Sequence, residues 1–138
     1  MMRAHIGPLL LLVAVAVSAC GDSNEPSGSA LAGSYSATTL RVTPTGEAPI
    51  DVLASGGSLT LTIDAENQVT GNLTIPPSID GGINESMAGT AVVSGSSVQF
   101  DQTADTFVRD FTFEIAGSQL RADQTLSDAR YEVILARQ

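Results

Sequence analysis

The sequence predicts an all-β domain: an antiparallel, up-and-down barrel of eight strands. Three observations predict it. From Leu31 onward, apolar residues recur with period two, turn residues separate the alternating segments at hairpin spacing, and no long segment has the period of a helix. Because closing a run of hairpins removes the exposed edges, a barrel is favoured over the alternative, a two-sheet β-sandwich.

Eight segments carry the strand pattern. The clearest pair is Leu59 to Ile63 and Val69 to Ile75, in which apolar residues alternate with Thr, Asn and Asp around a polar turn. Pro76-Pro77 ends this hairpin, and a loop is expected over 78–86. Residues 50–55 are expected to form one or two helical turns, with Asp51 as the N-cap. The remaining strands are predicted at 34–42, 87–93, 97–102, 107–115, 119–124 and 130–137.

The first 19 residues have the composition of an export signal. Arg3 and His5 precede the apolar run Ile6 to Val17, and this run of 12 residues is short for a membrane span, which needs roughly 20. The following Val17-Ser18-Ala19-Cys20 resembles the lipobox of bacterial lipoproteins. The resemblance implies that Cys20 is lipidated with acyl chains, palmitate among them, and that residues 1–19 are removed as the signal peptide.

The segment after the cysteine is small and polar, so residues 20–30 are expected to be the lipidated Cys and a flexible tether, and 31–138 the folded domain. Gly21 stands where lipoproteins retained in the inner membrane carry Asp. The expected location is therefore the cell envelope, at the outer membrane if the cell is Gram-negative, and the expected membrane partner is the bilayer, reached through the acyl chains.

Composition argues against several functions. The segment from Cys20 onward keeps five arginines and all 15 acidic residues, a net charge of −10, which disfavours nucleic acid as a partner. His5 and Cys20 are the single His and Cys of the chain, so a Ser-His or Cys-His catalytic pair and a His/Cys zinc site are excluded from the expected mature domain. We therefore expect no enzyme, no metal and no cofactor.

The alternating segments also show a resemblance to the lipocalin-like (calycin) barrels. Leu31-Ala32-Gly33-Ser34-Tyr35 is similar to the Gly-x-Trp motif that opens their first strand, with Tyr35 in the aromatic position. Arg137 lies where many of these proteins place an arginine over that ring. The resemblance implies a closed barrel in which Tyr35 and Arg137 pack together, and the expected helical turns after the first strand are similar to the fatty-acid-binding branch.

Two functional hypotheses follow for the barrel. In the first, it binds a small apolar ligand: Phe100, Phe111, Phe113 and Tyr131 line a pocket, and Arg109, on the same predicted face as Phe111, receives a carboxylate. The alternative is a structural or interaction lipoprotein with a filled core, which acts through its outer surface on an envelope protein. The aromatic residues are then core, and Arg109 reaches solvent.

Overall fold

A computed structural model describes residues 28–138, in which eight strands close into an antiparallel barrel and a ninth short strand extends the sheet. The elements are the helix α1 (Gly28–Leu31), the strands β1 (Gly33–Pro44), β2 (Ile50–Asp51), β3 (Ser58–Ile63), β4 (Gln68–Ile75), β5 (Ile83–Ser94) and β6 (Ser97–Gln102), a 3₁₀ helix (Phe107–Asp110), and the strands β7 (Thr112–Ala116), β8 (Gln119–Leu126) and β9 (Ala129–Arg137). The predicted signal peptide and Cys20 lie outside the described residues.

Each barrel strand pairs with its neighbours in the order β1-β3-β4-β5-β6-β7-β8-β9, and β9 returns to β1. The closing pair runs from Tyr35↔Arg137 to Pro44↔Ala129, with one irregularity between Ala37 and Thr39. The two-residue strand β2 pairs with β1 through Val42↔Ile50. The predicted all-β, antiparallel eight-stranded barrel is thus confirmed, and the sandwich alternative is wrong.

The core follows from the period-two alternation. Along β3 the burial alternates strictly, with Leu59, Leu61 and Ile63 inside and Ser58, Thr60 and Thr62 outside.

Neighbouring barrel strands are connected in up-and-down order, so one end of the barrel carries the β1–β3, β4–β5, β6–β7 and β8–β9 connections. We call this end the mouth. Within residues 28–138, neither helix has the length and hydropathy that crossing a membrane requires.

Three local predictions differ from the structure. The expected loop at 78–86 is shorter, because Ile83 already pairs with Ile75 and starts β5. The residues that follow Ile83 in β5 are polar because this part of the hairpin is exposed. The side-chain amide of Asn72 in β4 donates to the backbone oxygen of Glu85 at 3.1 Å. Residues 50–55 form β2 and a single turn, in which the Asp51 carboxylate accepts from the backbone nitrogen of Ala54 at 3.0 Å.

The third difference is in the predicted strand 107–115, whose first half is a 3₁₀ helix. A strand would send Val108 and Phe107 to opposite faces. The helical turn instead buries Val108 completely and packs Phe107 against the core as well. Arg109 then lies on the outside of the turn, and β7 begins only at Thr112.

Candidate functional site

The interior of the barrel is filled where the sequence predicted a pocket. Phe100, Phe111 and Phe113 are each at most 1% exposed. The ring centroids of Phe100 and Phe113 lie 5.3 Å apart, and those of Phe111 and Phe113 lie 5.9 Å apart, which is ordinary aromatic packing. These three predicted ligand residues are therefore core residues that support the barrel.

Arg109 is not buried with these rings in the barrel interior. Its Nη2 lies 2.6 Å from a carboxylate oxygen of Asp105 and its Nε lies 3.8 Å from one of Asp110, and its side chain is 40% exposed. The structure therefore places Arg109 in an external ion-pair cluster, where it does not face the barrel interior. The predicted strand, on which the expected carboxylate site inside the barrel depended, is replaced at this position by the 3₁₀ helix.

Phe100 and Arg109 line an open surface groove of about 280 Å³. Tyr131 borders a more enclosed and more apolar space. It lies near the start of β9, half-buried, and its ring centroid is 4.9 Å from that of Phe107. These two rings and four aliphatic side chains surround a partly enclosed cavity of about 100 Å³ at the mouth, whose apolar lining residues are Val42, Ile75, Ile79, Ile83, Phe107 and Tyr131.

The cavity continues into a wider surface groove of about 520 Å³. The two spaces share Val42, Ile79, Asp80 and Tyr131, so they form one continuous depression, which we call the mouth cleft. The inner part is mainly apolar. The outer part adds the side chains of Ile50 and Leu126 and the exposed carboxylates of Glu47 and Asp128, and the exposed carboxylate of Asp80 borders both parts.

The loops around the mouth cleft are held by backbone hydrogen bonds. Ile79 sits in the β4–β5 loop, where its backbone nitrogen donates to the oxygen of Pro76 and its own oxygen accepts from Gly82, both at 2.9 Å. Across the groove, the backbone nitrogen and the hydroxyl of Thr45 both donate to the backbone oxygen of Asp128 at 2.8 Å. The β1–β2 loop is thereby attached to the β8–β9 turn, and the cleft has a defined rim.

The opposite end of the β1–β9 pair is closed by Tyr35 and Arg137, which the structure brings together. The guanidinium carbon of Arg137 lies 5.4 Å from the centroid of the Tyr35 ring, and Nη2 donates to the Tyr35 hydroxyl at 2.9 Å. The same hydroxyl donates to the backbone oxygen of Leu31 at 2.8 Å, and Arg137 donates to that of Ala30 at 2.5 Å. This closure fastens α1 to the barrel.

Gly33 explains why the closure needs a small residue beside it. An ideal Cβ at this position would lie 3.1 Å from Nε of Arg137, and the glycine has a φ of +154°. A larger side chain would therefore press on the arginine stem and strain the backbone. The glycine and the aromatic residue of the predicted motif act together with Arg137 in one packing arrangement.

The charged side chains of the described region sit mostly on the outside. Arg130 donates two hydrogen bonds to Asp123, at 2.8 and 2.6 Å. These hydrogen bonds, and then the charge of Arg130, hold the pKa of the Asp123 carboxyl below its ordinary value and raise that of Arg130. Among residues 28–138, no group of three His, Cys, Asp or Glu side chains is arranged to hold a metal ion.

Comparisons of the chain with models of protein families, with curated proteins and with solved structures found no match.

The sequence pointed to only one member of the mouth cleft, Tyr131. The others come from β1, β4, the β4–β5 loop, β5 and the 3₁₀ helix, so their proximity depends on the closure of the barrel. One local signal was present: Ile79 is an apolar residue between Pro76-Pro77 and Gly81-Gly82, in a segment that had no other reason to carry one.

Proposed function

We propose that this protein is an envelope lipoprotein, anchored through acyl chains on Cys20, whose barrel binds the apolar part of a small ligand at the mouth cleft. The observation that carries the binding proposal is the convergence of six apolar side chains around one partly enclosed cavity of about 100 Å³. Small-molecule sites are typically concave, with apolar walls and a few polar groups at the edge.

The size of the cleft sets the size of the ligand. Since a cavity of about 150 Å³ accepts a benzene molecule, the inner cavity accommodates an alkyl end on the order of four carbons. The rest of a short chain would lie in the outer groove. At about 0.8 kcal/mol per buried methylene, four buried and four half-buried carbons contribute about 5 kcal/mol, which corresponds to a Kd of about 0.2 mM.

The binding test uses 1-octanol, a neutral probe of eight carbons, and the full chain with the substitution Cys20→Ser, which removes the expected acylation site. We expect saturable chemical-shift changes in the methyl signals of Val42, Ile75, Ile79 and Ile83. Because each methyl signal reports one residue, the experiment distinguishes binding in the cleft from contact of octanol with the apolar run Ile6 to Val17. The methyl signals of fully buried Val133 should move little.

Two matched variants sharpen this test. Ile79→Gln replaces an aliphatic cleft residue by a polar one of similar length, and we expect octanol affinity to fall by about tenfold, or about 1.4 kcal/mol. Val92→Gln makes the same kind of change at a residue 51% exposed, outside the cleft, and should leave the affinity unchanged. Equal effects of the two substitutions, or no shift at all in the cleft methyls, would exclude the proposed ligand site.

The second candidate function is a structural or interaction lipoprotein, and the specific observation that favours it is the filled aromatic core of Phe100, Phe111 and Phe113. It requires no ligand and acts through the outer surface. Photo-crosslinking in intact cells from the exposed position of Val92 would then give one discrete adduct with an envelope protein, while octanol leaves the cleft signals in place.

The anchor is tested separately from the ligand. Metabolic labelling with a palmitate analogue should mark the wild-type chain and not Cys20→Ser. The membrane fraction should contain the wild-type protein and lose the variant to the soluble fraction. Labelling of the variant would contradict acylation at Cys20, whatever the barrel binds.

A further inference from the structure

We propose that the mouth cleft selects amphiphiles with a positively charged polar end, such as an alkylammonium, over those that end in a carboxylate or a phosphate. This inference rests on the proposed function, because it names the charge class of the ligand for the same cleft. It starts from the rim, where Glu47, Asp80 and Asp128 line the outer groove. All three are exposed, and they come from three different loops.

No positive side chain of the described region balances these carboxylates in the cleft. The chain has no lysine, and the arginines after Cys20 are five in number. None of them lines the cavity or the groove. Each has its own partner elsewhere: Arg41 with Glu132, Arg109 with Asp105, Arg121 with Gln119, Arg130 with Asp123, and Arg137 with Tyr35.

An anionic ligand would therefore meet three negative charges and no counter-ion in the cleft. A cationic end would be attracted to all three, while its chain lies against Val42, Ile79 and Tyr131, the apolar and aromatic residues that groove and cavity share. The polar end would stay at the open rim, where the carboxylates are, and the chain would point into the apolar cavity. The distribution of charge along the cleft thus matches a cationic amphiphile.

An organic cation fits the rim better than a metal ion does. In residues 28–138 the carboxylates are not grouped closely enough to coordinate one small ion. A metal ion would also leave the adjoining apolar cavity unused. An alkylammonium uses both parts of the cleft, because its charge is attracted over a distance without direct coordination.

The test compares octylammonium, 1-octanol and octanoate, which share one chain length and differ in the charge of the polar end at pH 7. The protein is the full chain with Cys20→Ser, and the readout is again the methyl signals of the cleft. With exposed charges of this kind, we expect octylammonium to bind about tenfold tighter than octanol at low salt, and octanoate to bind more weakly than octanol. Salt at 0.5 M should reduce the preference to about threefold or less.

A triple variant removes the rim charge. Glu47→Gln, Asp80→Asn and Asp128→Asn keep the side-chain sizes, and Asn tolerates the positive φ of 46° at position 80. We expect this variant to bind octanol as before and to lose the preference for octylammonium. The matched control, Glu66→Gln with Glu85→Gln and Glu114→Gln, removes the same number of charges from exposed positions outside the cleft and should keep the preference.

The outcomes separate the two proposals. If octanol shifts the cleft methyls but octylammonium binds no tighter, or octanoate binds tighter, the charge preference is refuted and the ligand site stands. The same holds if both triple variants lose the preference equally. If none of the three probes shifts the cleft methyls, the ligand site and its charge preference are refuted together. If the triple variant does not fold, the salt dependence of the octylammonium preference, measured on the Cys20→Ser chain with its three rim carboxylates, still tests the charge preference.

Discussion

The closure of the barrel at Tyr35 can be tested by removing one oxygen atom. In Tyr35→Phe the ring stays in the core, where it is 2% exposed, and only the hydroxyl is lost. That hydroxyl donates to the backbone oxygen of Leu31 at 2.8 Å and accepts from Arg137 at 2.9 Å. The substitution therefore changes hydrogen bonding and leaves the volume of the core nearly unchanged.

The expected loss follows from these two bonds. A neutral hydrogen bond contributes about 1 kcal/mol, and one to a charged donor about 1.5–3 kcal/mol. Because Arg137 is exposed and regains water when its partner is lost, the lower end applies to the second bond. We expect Tyr35→Phe to reduce the free energy of unfolding by about 2.5 kcal/mol, which for a domain of this size lowers the Tm by about 10 °C.

The assay is urea unfolding followed by far-UV circular dichroism, on wild type, Tyr35→Phe, Arg137→Met and the double variant. Methionine keeps an apolar stem over the ring and removes the charge. We expect the two substitutions to be coupled by about 1–2 kcal/mol, since each removes the same bond. A loss below about 0.5 kcal/mol in Tyr35→Phe, or additive effects in the double variant, would show that the contact does not close the barrel.

Two further predictions concern polar groups on β6 and β8. Within the described residues, neither side-chain amide atom of Gln102 has a hydrogen-bond partner, although the residue is only 7% exposed. Gln102→Met should therefore raise the free energy of unfolding by about 1–3 kcal/mol in urea melts, and a decrease would show that the amide makes a necessary contact. Because Arg130 lowers the pKa of Asp123, NMR titration should place it below 3.8, and Arg130→Gln should return it towards that value. The ion pair then contributes to stability at pH values above the unfolded-state pKa of Asp123 and loses that contribution as the pH falls through the lower folded-state pKa. If the pKa of Asp123 is the same in Arg130→Gln as in the wild type, Arg130 is not the cause of the shift.

The alternation of side chains was sufficient to predict the strands of the barrel and their buried faces. In β3 and β4 every apolar residue of the predicted hairpin points inward, because the period-two pattern directly reports which face is buried. The closure at Tyr35 and Arg137 came from a resemblance, and it concerns two strands at opposite ends of the domain. Strand faces and strand closure were therefore accessible from the sequence.

The segment around Phe107 shows why the candidate site could not be predicted from the sequence. Phe107, Arg109, Phe111 and Phe113 satisfy a period of two, so the pattern predicted one strand with Arg109 on the same face as the aromatic residues. The structure differs at Val108, which is fully buried although the period of two places it on the opposite face from Phe107. The 3₁₀ helix allows both residues to contact the core. A short segment that fits both periods is assigned by its tertiary contacts, which the sequence does not display.

The same turn links the filled core to the mouth cleft. Phe107 packs against Phe111, with ring centroids 5.4 Å apart, and against Tyr131, whose ring centroid also lies 5.5 Å from that of Phe111. The buried rings thus support the inner wall of the cleft, while Arg109 is held outside by Asp105. Because Arg109 does not line the mouth cleft, the charged groups that line it are carboxylates. The barrel thus combines a packed aromatic interior with a mouth cleft that is apolar in its inner part and acidic at its rim. This arrangement is the basis on which we propose a cationic amphiphile, and not an enclosed fatty acid, as the ligand.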